Sequence, residues 1–218
     1  MEILQQLWSF VLHIDQHLFE IVQQYGTLTY IILFFIIFSE TGFVVTPFLP
    51  GDSLLFAAGA LAGTGQLNVW LIIILLLTAA FCGNMLNYSI GRYLGPRVLE
   101  NNKIPFIKQE HLEKTQLFYA KYGAKAVVIS RFLPFLRTFV PFVAGIGKMS
   151  VVQFTLYNFI GAALWIIPFT LAGFGFGNIP LVKKNFSLVV LGIIFITALP
   201  TFVAIGREWL KNRRQKAV

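Results

Sequence analysis

The amino-acid sequence predicts an all-α polytopic membrane protein. Two oppositely oriented re-entrant helical hairpins are expected to pack among transmembrane helices, as in inverted-repeat transporters. The 218-residue chain is 57% hydrophobic and only 12% charged, a composition that excludes both a soluble domain and a disordered chain. Two of its apolar stretches are interrupted by prolines and charged residues. Twelve of the 17 basic residues fall within residues 92–125 and 207–216, beside apolar segments.

Residues 1–25 are predicted to form an amphipathic helix on the membrane surface. Apolar residues recur there at steps of three and four, and glutamines and histidines occupy the other side. This spacing is typical of a helix that lies in the membrane interface rather than crossing it. No lysine or arginine precedes Arg92, so this helix is expected on the outer side of the membrane.

The first interrupted stretch, residues 27–62, is predicted to be a re-entrant hairpin. Each apolar arm is about a dozen residues long, which at ~1.5 Å per residue reaches only about half of a ~30 Å hydrocarbon core. Glu40 and Asp52 lie between the arms. Irregular backbone at this depth requires cover from protein or a water-filled cavity, so the tip should face inward. The residues expected to break the helix here are Pro47, Pro50 and Gly51.

A full membrane crossing is predicted over residues 67–91, and a basic, amphipathic cytoplasmic segment over residues 92–125. Polar and small residues form a stripe along the crossing that suits helix contact. Asn84, Tyr88 and Arg92 are candidates for a gate at the inner mouth of a pathway. Helix packing explains the same residues equally well.

The second interrupted stretch, residues 126–147, contains Arg131 and Arg137 and is broken by Pro134 and Pro141. An ionisable side chain near the bilayer centre costs about 3 kcal/mol even on the mildest insertion scale, so such residues usually mark a pathway or a binding site. Two arginines would make a lipid-exposed crossing costly. A second re-entrant hairpin is therefore favoured.

The charge distribution independently predicts the topology. Two further crossings, residues 151–177 and 186–206, precede a basic tail, residues 207–218. If residues 126–147 also crossed the membrane, one of the two basic segments would lie outside, against the positive-inside rule. A re-entrant hairpin leaves both in the cytoplasm. The order of hairpin, crossing, hairpin, crossing then predicts an inverted repeat.

These motifs resemble the DedA family, which belongs to the VTT, or SNARE-associated Golgi protein, superfamily and has eukaryotic lipid scramblases among its wider relatives. The resemblance rests mainly on residues 40–42, residues 47–55 and the Arg-Phe-x-Pro-x-x-Arg-Thr pattern of residues 131–138. It implies a protein of the bacterial inner membrane that moves undecaprenyl phosphate between leaflets and depends on the proton gradient. The family's acidic and arginine pairs map onto Glu40 with Asp52 and onto Arg131 with Arg137.

Arginine suits a phosphate ligand because its planar, permanently charged fork can bind phosphate oxygens in bidentate fashion. The alternative is that Arg131 and Arg137 only neutralise the two carboxylates, and the two roles could alternate. The carboxylates are candidates for proton coupling, since burial favours their neutral form and a nearby arginine their charged form. A fixed ion pair is the alternative. The family commonly has aspartate where this chain has Asn84.

The sequence is also compatible with two other transport functions. A proton-coupled exporter of small cations or drugs would use the carboxylates to bind substrate, and a less specific phospholipid scramblase would use the same fold. A lipid phosphatase or transferase is disfavoured because His13, His17 and His111 all lie at predicted surfaces. We therefore expect no enzyme activity, cofactor, metal site or nucleic-acid partner. The expected partners are a membrane lipid and protons, and homo-oligomerisation is left open.

Overall fold

The described part of the chain is helical and contains no β-strand, which confirms the predicted all-α class. Two helical stretches, Val69–Gly95 and Val151–Phe176, are long and apolar enough to cross a membrane. The protein is described here from a computed structural model. The structure describes residues 26–43, 51–101, 117, 119–133, 136–177 and 179.

The described helices fall into two groups by length. Two of them have 33 and 27 residues, more than the ~20 needed to span a bilayer. The others have 15 residues or fewer. Short 3₁₀ turns, Gly123–Lys125 and Ser130–Phe132, flank the shortest helix. In chain order the α-helices are α1 (Leu28–Gly42), α2 (Gly51–Gly63), α3 (Val69–Asn101), α4 (Ala126–Ile129), α5 (Leu136–Ile146) and α6 (Val151–Gly177).

The start of α3 is fixed by an asparagine cap. Asn68 Oδ1 accepts hydrogen bonds from the backbone N–H groups of Trp70, at 3.0 Å, and Leu71, at 3.1 Å, which satisfies two donors that have no partner within the helix. The backbone N–H of Asn68 donates to Tyr30 Oη at 2.7 Å. This bond ties the start of α3 to α1.

One short helix from each half of the chain packs against each long helix. Both α1 and α5 pack along α3, whereas α2 and α4 pack along α6. The two arms of the first interrupted stretch, α1 and α2, make few contacts with each other. They are therefore positioned by the long helices rather than by direct packing between the arms.

Glycines allow α2 to lie directly against the backbone of α6. A Cβ atom at Gly59 would collide with the backbone carbonyl oxygen of Thr170 and crowd the amide nitrogen of Phe174 at 3.1 Å. On the opposing helix, Gly173 faces the backbone carbonyl of Phe56 with equally little space. Small residues bring helix backbones together in this way in many membrane proteins.

Glycines also form the contact between α5 and α3. A Cβ atom at Gly145 would collide with the carbonyl oxygen of Tyr88 and lie 2.7 Å from the amide nitrogen of Arg92. Gly91 faces the backbone carbonyl of Phe142. The helix continues through Gly91 and beyond the predicted end of the crossing to Asn101, because this glycine serves helix contact rather than helix termination.

The outer faces of the helices expose large apolar side chains. Phe35 on α1, Ile74 on α3 and Val152 on α6 are 59%, 63% and 79% exposed. Buried apolar side chains on the inner faces of α1, α2, α3 and α6 form the larger of the two core clusters found among the described residues. An apolar exterior around a packed interior fits a protein surrounded by lipid.

The residues predicted to break the hairpins have different positions in the structure. Gly51 is the first residue of α2. Pro141 lies inside α5 rather than at a helix end; it removes one helical N–H donor, but the helix continues to Ile146. Pro47, Pro50 and Pro134 lie outside the described residues, as do the predicted surface helix 1–25, the crossing 186–206 and the tail 207–218.

Candidate functional site

The two carboxylates of the first interrupted stretch lie at facing helix ends. Glu40 is in the last turn of α1 and is fully buried, and Asp52 is the second residue of α2. The backbone N–H of Gly51 donates to Glu40 Oε1 at 3.2 Å, where the positive end of the α2 dipole favours a carboxylate. A Cβ atom at position 51 would collide with the Glu40 carboxylate. Gly51 thus permits this close approach, and a larger residue would displace the Glu40 carboxylate.

Arg137 bridges both carboxylates from the second interrupted stretch. It lies in the first turn of α5 and is 8% exposed. Its Nη2 forms an ion pair with Glu40 Oε1, and its Nη1 lies 3.5 Å from Asp52 Oδ1. Among the described residues, one arginine therefore neutralises both acidic side chains in part, and the two interrupted stretches meet at this point.

Arg131 lies in a different environment. Its side chain is 4% exposed, and Nη2 donates to Asn158 Oδ1 at 2.8 Å and to the carbonyl oxygen of Ala80 at 3.4 Å. Asn84 Oδ1 accepts from the same nitrogen at 2.7 Å, in the amide orientation in which Asn84 Nδ2 donates to Thr41 O at 3.2 Å. The partners of Arg131 in the described chain are all uncharged.

Trp165 on α6 connects the two arginines and a carboxylate. Its Nε1–H donates to Asp52 Oδ1 at 2.7 Å. The guanidinium carbons of Arg131 and Arg137 lie 5.7 and 5.5 Å from the centre of its rings, within the range of a cation–π interaction. The indole therefore holds Asp52 by a hydrogen bond and both guanidiniums by its π face.

Asn87 on α3 orients the backbone beside two charged residues. Its Nδ2 donates to the carbonyl oxygens of Thr41, at 3.3 Å, and Thr138, at 2.8 Å. These threonines directly follow Glu40 and Arg137 in the sequence. A single buried amide thus fixes the end of α1 and the start of α5 relative to each other.

The residues considered for a gate are packed and hydrogen-bonded. Tyr88 is 2% exposed, and its ring stacks on Phe154 with centroids 4.3 Å apart. Its hydroxyl donates to Met149 O at 2.5 Å and accepts from Arg92 Nη1 at 2.9 Å. Tyr88 and Arg92 therefore join α3 to the start of α6, whereas Asn84 belongs to the environment of Arg131.

The sequence interpretation missed two residues of this site, Asn158 and Trp165. They are seven residues apart on α6 and hence lie on one face of that helix. Asn158 is fully buried, and its Nδ2 donates to Phe81 O at 3.0 Å. The available signal was a carboxamide within an apolar crossing, followed two turns later by a tryptophan.

These contacts define a charged centre, which comprises Glu40, Asp52, Arg131 and Arg137. Its formal charges cancel, since it contains two arginines and two carboxylates. The described residues contain no group of three histidine, cysteine, aspartate or glutamate side chains that could hold a metal ion. A buried guanidinium can bind an anion. A carboxylate beside it can take up or release a proton.

The fold and the charged centre define an α-helical membrane protein with a polar site inside an apolar helix assembly. Residues 49–175 match the VTT domain. The chain is 50% identical over 210 residues to protein DedA of Escherichia coli K12, with 95% of this chain and 96% of that protein covered. The chain belongs to the DedA family, as the sequence motifs indicated.

Two more distant relatives are named as membrane proteins. An uncharacterized membrane protein of Mycobacterium leprae is 38% identical over 179 residues, covering 82% of this chain and 80% of the relative. The inner membrane protein YqjA of E. coli K12 is 33% identical over 155 residues, covering 71% and 70% of the two chains. No solved structure matches the chain.

Proposed function

We propose that this protein moves undecaprenyl phosphate between the leaflets of the bacterial inner membrane and uses the proton gradient to do so. The observation that carries this proposal is the pair of buried arginines, Arg131 and Arg137, inside a helix assembly with an apolar exterior. A lone phosphate is too costly to move through hydrocarbon, whereas a guanidinium can hold it by bidentate hydrogen bonds. The polyprenyl part of the substrate follows from the family resemblance.

The ion pairs suggest how the site is occupied when no lipid is bound. Glu40 and Asp52 contact Arg137 and occupy the positions that phosphate oxygens would take. An arriving phosphate competes with these carboxylates, and the carboxylates return when it leaves. Such an exchange avoids leaving a buried arginine without a partner, which is strongly unfavourable.

Charge balance supports proton coupling at the same site. The charged centre is formally neutral, so binding an anionic phosphate leaves a surplus negative charge in a poorly solvated region. Uptake of one proton by a carboxylate restores neutrality when the phosphate binds as its monoanion, and a dianion requires two protons. Glu40 is the favoured acceptor because it is fully buried, and its Oε2 has no hydrogen-bond partner among the described residues.

The proposal includes two re-entrant hairpins related by an inverted repeat. Residues 56–59 and 142–145 share the pattern Phe-x-Ala-Gly. In each case the glycine lies against the backbone of the long helix from the other half of the chain, and a glycine of that helix faces the phenylalanine carbonyl. Equivalent contacts made by equivalent residues support a two-fold relation between the halves, as in many secondary transporters.

The proposed protein crosses the membrane several times and has its C-terminus in the cytoplasm. This topology follows from the basic segments 92–125 and 207–216, which the positive-inside rule assigns to the cytoplasm. Gln109→Cys in a Cys82→Ser chain should resist a membrane-impermeant maleimide in intact spheroplasts and react once the membrane is permeabilised. Gln66→Cys, at an exposed position in the loop after α2, should react in both cases. Labelling of residue 109 from outside would refute the arrangement.

Reconstitution tests the function directly. Proteoliposomes containing the wild-type chain should move labelled undecaprenyl phosphate between leaflets, faster with a pH gradient than without one, and release no free phosphate. Arg131→Ala should reduce this movement to the background of empty liposomes. Lys121→Ala removes an equal charge from an exposed position and should leave the rate unchanged.

Other outcomes of the same assay identify the alternatives. Movement of phosphatidylethanolamine at the same rate as undecaprenyl phosphate would indicate a scramblase. Proton-driven movement of a lipophilic cation, with no lipid movement, would indicate an exporter. Either result would overturn the proposed substrate, and phosphate release would indicate an enzyme.

A further inference from the structure

The two arginines of the charged centre are held by different chemistry. Arg137 contacts two carboxylates, whereas Arg131 contacts two carboxamides, Asn84 and Asn158, and a backbone carbonyl. Within the described ranges, no carboxylate lies within ion-pair distance of Arg131. Both arginines are nevertheless more than nine-tenths buried, so the difference concerns charge rather than exposure.

A carboxamide satisfies a guanidinium N–H without neutralising its charge. Asn84 and Asn158 thus reduce the cost of burying Arg131 while leaving its positive charge available. The described hydrogen bonds of Arg131 all involve Nη2. Its Nε and Nη1 carry three further N–H donors, for which the described residues provide no acceptor. An anion can therefore bind these donors without displacing either asparagine.

We infer that Arg131 is the phosphate receptor of the resting protein, and that Asn84 and Asn158 are positioning residues that keep it unneutralised. Arg137 then serves first as the partner of the carboxylates. The ligand class is a phosphate monoester, whether it is attached to a lipid or is the free ion. This inference rests on the proposed function and assigns separate roles to the two arginines.

The arrangement of Asn158 supports a positioning role. Its Oδ1 accepts from Arg131, and its Nδ2 donates to Phe81 O, so both ends of the amide are used and its orientation is fixed. An aspartate of the same size would place a negative charge against the guanidinium. Arg131 would then be neutralised, as Arg137 is now, and would lose much of its attraction for phosphate.

Two substitutions at position 158 separate charge from packing. In nanodiscs, Asn158→Asp should weaken binding of undecaprenyl phosphate by about tenfold or more, the loss of about one charge-assisted contact. Asn158→Leu removes the acceptor but leaves Arg131 charged, so it should retain more affinity than Asn158→Asp. Binding of the uncharged alcohol undecaprenol should not change in either variant. A purely structural role predicts the reverse order, because aspartate is the closer match in shape.

If Asn158→Asp does not fold, as judged by its melting temperature, Asn158→Leu is compared with Arg131→Leu and should keep more affinity, because it leaves the guanidinium in place. Wild-type affinity in folded Asn158→Asp, a greater loss in Asn158→Leu than in Asn158→Asp, or equal losses in Asn158→Leu and Arg131→Leu would overturn the inference. If the wild-type chain binds no undecaprenyl phosphate, the proposed function fails first. If inorganic phosphate competes with the lipid at an equal concentration, Arg131 is supported as the phosphate receptor and the free ion is its ligand. If inorganic phosphate does not compete, the ligand is a lipid headgroup.

Discussion

Arg137→Ala should lower the free energy of unfolding by about 3–5 kcal/mol, the usual cost of removing one partner from a buried ion pair. The substitution leaves Glu40 and Asp52 in a buried site without the guanidinium that contacts both of them. The effect should appear as a lower melting temperature in detergent. Transport should fall to background in the same variant.

Removing the stranded charges should restore stability without restoring transport. In the triple variant Arg137→Ala, Glu40→Gln, Asp52→Asn, no buried carboxylate lacks a cation, so the melting temperature should return most of the way to that of the wild type. Arg137→Lys keeps the charge but not the planar fork that reaches both carboxylates, and should be intermediate. If Arg137→Ala melts like the wild type, the ion pairs do not stabilise the fold. Recovered transport in the triple variant would exclude a proton-coupling role for the carboxylates.

The members of the charged centre could be chosen from the sequence, but their pairing could not. Charged residues are rare within apolar stretches because burying a charge in the membrane is costly. This cost alone is enough to select Glu40, Asp52, Arg131 and Arg137 as candidates. Their contacts connect segments that are far apart in the chain. Nothing in the local sequence shows that Arg137 contacts carboxylates and that Arg131 contacts carboxamides. The partners of each arginine depend on how α3 and α6 are placed in the fold.

Uncharged members of the site were harder to recognise for a related reason. Asn158 and Trp165 are ordinary residues of a transmembrane helix when α6 is considered alone. Their importance comes from the side chains that other elements bring to them, a guanidinium from the Ser130–Phe132 turn and a carboxylate from α2. The spacing of seven residues indicates a shared face but not what that face contacts.

The glycines illustrate the same limit at the level of the fold. Gly91 is the last residue of the predicted crossing 67–91, but it lies inside a helix that continues to Asn101. Gly173 lies inside the predicted crossing 151–177 and inside α6, which ends at Gly177. Each of these glycines is needed for close approach by a short helix from the other half of the chain. The sequence could identify them as special positions, but the partner helix decides their role.

Gly173→Ala should destabilise the protein by about 1–3 kcal/mol, as expected when a methyl group is forced into a packed interface. A Cβ atom at this position would collide with the backbone carbonyl of Phe56 on α2, and a backbone group cannot move aside as a flexible side chain can. The helices must separate, which also shifts Asp52 at the start of α2. Both the melting temperature and the transport rate should therefore fall.

Gly175 offers a matched control on the same helix, two residues away. A Cβ atom there would meet nothing within 4 Å, so Gly175→Ala should leave stability unchanged or raise it by up to ~1 kcal/mol, the difference in helix propensity between alanine and glycine. Gly91→Ala, against Phe142 on α5, should behave like Gly173→Ala because its contact is equivalent. Equal melting temperatures for Gly173→Ala and Gly175→Ala would mean that backbone contact between α2 and α6 does not hold the helices together. A loss confined to Gly173→Ala, with Gly91→Ala unaffected, would argue against equivalent roles for the two halves.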